Sequence, residues 1–145
     1  MRHALGFTRS YRTNDSGAAA LEFAILTPMF LLMTTGMIAY AIYFGAAHSV
    51  QQLAADAART SIAGLTTTER NSLVTSFISN NASGYVLIDP QYLTSTVAPK
   101  ANDPTEYSVT LSYNASTLPI WNLYVPLPLP SHTITYSSVI RLGGT

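Results

Sequence analysis

AILTPMFLLMTTGMIAYAIYF, residues Ala24–Phe44, is the stretch on which the fold turns. It lies within a charge-free run of 33 residues, Phe23–Ala55, bounded by Glu22 and Asp56. Its 21 residues span roughly 31 Å as an α-helix, the thickness of a bilayer core. Tyr40, Tyr43 and Phe44 gather at the C-terminal end, where a membrane helix places its interfacial aromatic belt. A buried core helix is usually apolar over only about 10–14 residues. The apolar region of a secretory signal covers about 7–15. The run exceeds both, although Gly45-Ala46-Ala47 offers small residues suited to a signal peptidase. The stretch reads as a transmembrane helix.

The charges on either side give it a direction. Residues 1–17 carry Arg2, Arg9 and Arg12 against Asp15, a net +2. Residues 18–145 carry four basic groups (Arg59, Arg70, Lys100, Arg141) against six acidic ones (Glu22, Asp56, Glu69, Asp89, Asp103, Glu106), a net −2. Positive charge before the span places the N-terminus in the cytoplasm and the rest of the chain beyond the membrane. No basic cluster occurs outside the first dozen residues, so no nucleic-acid partner is expected. The chain has no cysteine, which excludes disulfides, thiol catalysis and cysteine–zinc sites.

Beyond the span the helical period continues. Val50, Leu53, Ala54, Ala57, Ala58, Ser61, Ile62 and Leu65 follow the i, i+3, i+4 rule, with Gln51, Gln52, Asp56 and Arg59 opposite. One helix is expected from about Ala18 to Ala63, with Gly64 as its stop and a bend at Pro28. A short second helix follows. Thr66 and Glu69 have capping-box spacing, and Leu73, Val74, Phe77 and Ile78 form its apolar face.

From Tyr85 the period changes to alternation. Tyr85–Ile88 is a short apolar run, and Tyr92–Val97 a weak strand ended by Pro99. In Glu106–Asn114, Tyr107, Val109, Leu111 and Tyr113 point one way, with Ser and Thr between them. His132–Leu142 repeats the device. These last two strands should pair antiparallel and pack on the long helix.

The stretch with functional content is Gly17-Ala18-Ala19-Ala20-Leu21-Glu22-Phe23. A basic leader ends in glycine, and then come small or apolar residues, a glutamate, an aromatic and a bilayer-length helix. This looks like the processing site of type IV pilin-like proteins. More closely, Ser16–Thr60 resembles the TadE family of tight-adherence (Flp) pilus assembly proteins. The likeness rests on GAAALEFAILTPMFLL (Gly17–Leu32), the apolar span, and LAADAART (Leu53–Thr60). It covers about a third of the chain. Thr27, Thr34 and Thr35 make the span more polar than the Leu-rich family pattern.

The resemblance implies a prepilin peptidase that cuts after Gly17 and leaves Ala18 as the new N-terminus. Glu22 then becomes the fifth mature residue, with Phe23 beside it in the assembly and recognition segment. A carboxylate near the edge of a membrane helix is costly unless paired. The freed amine of Ala18, on the same or a neighbouring subunit, would neutralise it.

Other signals are weaker. His3, His48 and His132 lack a metal-ligand spacing. No nucleophile elbow, phosphate loop or zincin motif occurs, so neither an enzyme nor a cofactor is expected. Leu118–Pro130 (LPIWNLYVPLPLP) has two readings. Trp121 and Tyr124 could form an interface, since exposed aromatic patches mark contacts. Alternatively, the loop folds over the sheet edge as part of the core.

The expected fold is α+β and pilin-like, with a long N-terminal helix that is transmembrane in its first half, a short second helix and a small antiparallel sheet. Residues 1–17 would be a cleaved leader, 18–47 the transmembrane helix and 48–145 an extracytoplasmic domain. The expected function is that of a TadE-like minor pilin or pseudopilin in the inner membrane. Its partners would be the membrane, prepilin peptidase, other pilin-like subunits and the assembly machinery. Gly36, Ala39, Gly45, Ala46 and Ala47 would let helices approach closely. Two other classes remain: a membrane-anchored adhesin with an external recognition domain, and a secreted enzyme released near His48.

Overall fold

The apolar period does not break at the end of the span, and neither does the helix. In the computed structural model, which describes residues 15–101, 103–123 and 128–141, helix α1 runs Asp15–Ser61 and continues through Pro28. The residues before 15, Tyr124 and Leu142 lie outside the described residues. The hydroxyls of Thr27 and Thr34 donate back to the carbonyls of Phe23 and Phe30 at 2.6 and 2.9 Å. That back-bonding hides two polar groups in an otherwise apolar stretch.

The chain divides into two units, Met1–Thr34 and Thr35–Thr145. In the first unit the described residues are helix alone, and its large side chains stand free. Phe23, Met29 and Phe30 are 72%, 73% and 67% exposed. The most apolar 18-residue window of the helix has a mean hydropathy of 1.8, yet only 6% of it is buried. A soluble core helix would be mostly buried, so this apolar surface calls for a bilayer.

The second unit begins inside the apolar run and uses the rest of α1 as one wall of its core. Ala46, Val50, Leu53, Ala54, Ala57 and Ala58 recur at helical spacing and are all buried. The helix ends at Ser61, in a turn closed by the Gly64 amide donating to the Ser61 carbonyl at 3.1 Å. Ile62 and Leu65, expected on the buried face, are 53% and 87% exposed. They follow the end of the helix, so the helical register no longer places them.

Helix α2 spans Thr67–Asn81. Thr66 Oγ1 accepts from the Glu69 amide at 3.2 Å, as the capping spacing implies. The return bond differs by one residue, because the Glu69 carboxylate accepts from the Leu65 amide at 2.9 Å. Arg70, Val74 and Ile78 make the buried face. Tyr85–Ile88 forms no strand. It lies between two 3₁₀ turns, Ala82–Gly84 and Pro90–Tyr92.

Three antiparallel strands then form a meander in the order β1 (Leu93–Lys100), β2 (Asp103–Asn114), β3 (Thr133–Arg141). The expected pairing of the last two is present, with Val109 opposite Ser138 and Leu111 opposite Tyr136. Strand β1 runs past Pro99 rather than ending there, and its register shifts between Pro99 and Lys100. A proline is tolerated because β1 is an edge strand. Val109, Leu111, Tyr113, Ile134 and Ile140 face the core. The opposite face is a hydroxyl ladder, with Thr110 Oγ1 and Ser137 Oγ 2.6 Å apart. That is the pattern of a sheet solvated on one side.

Candidate functional site

The residues of the pilin-like stretch sit together on the first turns of α1. Gly17, Ala18, Glu22 and Phe23 are all exposed. Ala18 and Glu22 are four apart, so they are neighbours on one helical face, with Cβ atoms roughly 5–6 Å apart. An amine created at residue 18 therefore falls within reach of the Glu22 carboxylate by helical geometry alone. Among the described residues Glu22 forms no ion pair. Phe23 lies on a different stripe, where Phe23, Leu26, Thr27, Phe30 and Leu31 line a shallow apolar groove.

The small residues are engaged elsewhere. Ala39 and Ala46 are fully buried and Ala47 nearly so, while Gly36 and Gly45 are half-buried, all in the second unit. A Cβ on Gly45 would meet the Leu87 side chain at 3.4 Å. The expectation that this stripe is open to a partner helix is therefore corrected for Ala39, Ala46 and Ala47, which are buried within the unit. At Gly45 the neighbour is the Leu87 loop, because small side chains let a domain as well as a helix come close. The faces left free carry large residues: Met37, Ile38 and Phe44 are 57%, 54% and 62% exposed.

The Leu118–Pro130 segment begins as core. Leu118 and Ile120 are buried, around 3₁₀ turns at Ala115–Thr117 and Pro119–Asn122. Trp121 is half-buried. Its indole N–H donates to the Ala115 carbonyl at 2.6 Å, and its ring lies 3.8 Å from that of His132. The segment then returns to α1, where the Tyr40 hydroxyl donates to the Pro128 carbonyl.

Three features had no signature in the sequence. Asp56, read as a solvent-facing residue, accepts the Tyr85 hydroxyl at 2.7 Å on one oxygen and Arg59 at 3.0 Å on the other. Arg70 is only 3% exposed, with its guanidinium 4.0 Å above the Tyr107 ring and no hydrogen-bond partner for Nε or Nη1 among the described residues. Leu87 holds a φ of 65°, a left-handed conformation strained for a bulky residue. A positive φ leaves no mark in a sequence unless glycine or asparagine occupies it. Val86 and Leu87 nonetheless form an exposed apolar pair, at 72% and 39%.

No curated protein and no solved structure matches the chain. The apolar helix and its small burial support anchoring in a membrane. A family model does match, on the stretch already singled out: residues 17–59 fit the model of the TadE-like protein.

Proposed function

We propose that this protein is a TadE-like pseudopilin, a structural subunit that serves assembly of a tight-adherence pilus rather than an enzyme. It is anchored by α1 with its N-terminus in the cytoplasm and its folded unit on the far side. Prepilin peptidase cuts after Gly17. Glu22 then pairs with the new amine of Ala18 on its own or a neighbouring helix. The observation that carries this reading is the placement of Ala18 and Glu22 one turn apart on an exposed helix face, inside the segment that matches the TadE-like family.

The physical logic is the cost of a carboxylate beside a membrane. Insertion scales put an unpaired charge at roughly 2.5–3.5 kcal/mol at the bilayer centre and less toward the edge. Glu22→Ala removes that cost, so insertion should be unharmed. It also removes the pairing, so assembly should fail. The test is a gel for the mature-size product beside a pilus assay. A cleaved, membrane-resident Glu22→Ala protein that supports no pilus is the expected result. Normal pili from that variant would refute the pairing role.

A further inference from the structure

We propose that the base of the folded unit is itself a membrane-binding surface, with Phe44, Val86 and Leu87 seated among lipids in the leaflet on the domain's side. The proposal rests on anchoring through α1 and does not depend on a role in pili.

The first observation is where the domain meets the helix. The last residues of the apolar run belong to the folded unit, not to a free span. Ala39 is completely buried, and the Tyr40 hydroxyl is bonded to the Pro128 carbonyl. Leu87 packs against α1 at Gly45. Two loops from distant parts of the sequence thus reach helix positions 40 and 45, at the aromatic end of the span.

The second observation is a shortfall in length. From Phe23, the first residue after Glu22, to Ile38, the last before Ala39, there are 16 residues. At helical rise they cover about 24 Å, about 6 Å short of a hydrocarbon core of about 30 Å. The part of α1 ahead of its first fully buried residue is thus shorter than the core, and the helix, which runs on to Ser61, completes the crossing alongside the two loops. The next turn or so of α1 lies at a depth it shares with the two loops. Mismatch of this kind is relieved by bringing apolar protein surface down to the lipid.

The third observation is the chemistry of that surface. Phe44 is 62% exposed and Val86 72%, and Leu87 adds a further 39%. No charged side chain occurs in Phe23–Ala55, in Ser83–Ile88 or in Leu118–Pro130, the segments to which Tyr40 and Gly45, Leu87, and Pro128 belong. Elsewhere the unit shows charged pairs and hydroxyls, as in Lys100–Glu106 at 2.8 Å and the outer ladder of β2 and β3. Leu87 holds its strained positive φ in this loop, a conformation of the kind that clusters at functional contacts, and both it and Val86 are exposed. A soluble partner would also accept apolar groups. Continuity with the span and the length shortfall select lipid.

The test uses the full chain and the absence of native cysteine. Val86→Cys and, as a control, Leu65→Cys each give one site for a nitroxide label. Both positions are strongly exposed, at 72% and 87%, so neither change disturbs the core. The labelled proteins are reconstituted at low density into phosphatidylcholine vesicles. Collision with oxygen, which concentrates in lipid, is compared with collision with a water-soluble nickel chelate. The expected result is an oxygen-to-nickel ratio several-fold higher at position 86 than at position 65. Equal ratios with strong nickel collision would place the base in water and overturn the proposal. Protection from both reagents would place protein over Val86 and overturn it equally. A chain that never enters the vesicles would overturn the anchoring itself, and the proposal with it.

Discussion

The Tyr85 hydroxyl donates to the Asp56 carboxylate at 2.7 Å, tying the loop after α2 to the long helix. Burial, then this bond, then the negative charge of Asp56 push the phenol from its ordinary value of 10 up to about 12. The neutral hydroxyl is the form that donates, so deprotonation loses the bond and sets two negative charges side by side.

Stability should therefore depend on pH at the alkaline end. The folded pKa is raised, so the contribution of Tyr85 is fully present below pH 10 and is lost as pH rises from 10 toward about 12. Thermal melts in detergent across that window should fall more steeply for the native chain than for Tyr85→Phe. At neutral pH the same substitution should cost about 1.5 kcal/mol, the low end for a hydrogen bond to a charged group because the site is only half-buried. Parallel pH profiles for the two proteins would remove the linkage.

Gly64 should resist substitution for a reason of space rather than dihedral angle. A Cβ there would stand 2.7 Å from Arg70 Cγ and 2.9 Å from the Arg70 amide nitrogen. The first could yield, but the second is helix backbone. Gly64→Ala should destabilise by about 1–3 kcal/mol, as overpacking does. Arg70→Met is the companion test. The cation over Tyr107 contributes about 0.5–2 kcal/mol, while each buried donor left without a partner costs about 1–3. Denaturant curves should show Arg70→Met within about 1 kcal/mol of the native chain, or more stable. A loss of several kcal/mol would mean that the guanidinium has a partner.

Processing should depend on the absence of a side chain at residue 17. Gly17→Leu is expected to leave the protein at full length on a gel, still in the membrane fraction, while N-terminal sequencing of the native mature form should begin at Ala18. A native N-terminus elsewhere would contradict the pilin-like reading of this stretch.

Trp121 offers a graded pair of substitutions. Trp121→Phe keeps a ring beside His132 and loses only the bond to the Ala115 carbonyl, so a cost of about 1 kcal/mol is expected. Trp121→Ala also loses the ring, and about 3 kcal/mol is expected at this half-buried position. Melting temperature reads both. An alanine variant as stable as the native chain would show that the ring is free to serve a contact instead.

Residues 17–60 and the strands on either side of the Trp121 loop were legible for one reason: their signals are local. A charge-free bilayer length, a threonine three residues before a glutamate, and strict alternation in β2 each need only a short window of chain. Backbone hydrogen bonding then forces the structure, which is why α1, the α2 cap and the pairing of β2 with β3 came out close to expectation.

The amino-acid sequence alone thus determined an apolar helix fit for a bilayer, its TadE-like first turns, and an α+β unit after it. Tertiary structure decided which surfaces are free. Ala39, Gly45 and Ala46 looked ready for a partner helix, yet Ala39 and Ala46 are buried within the folded unit and Leu87 stands against Gly45. Asp56 looked solvated and Arg70 carried no assignment, yet Tyr85 and Tyr107, 29 and 37 residues away in the chain, reach them. Small and charged side chains take their roles from what packs against them. No local period records an encounter between residues so far apart, whereas the shape of the core fixes it at once.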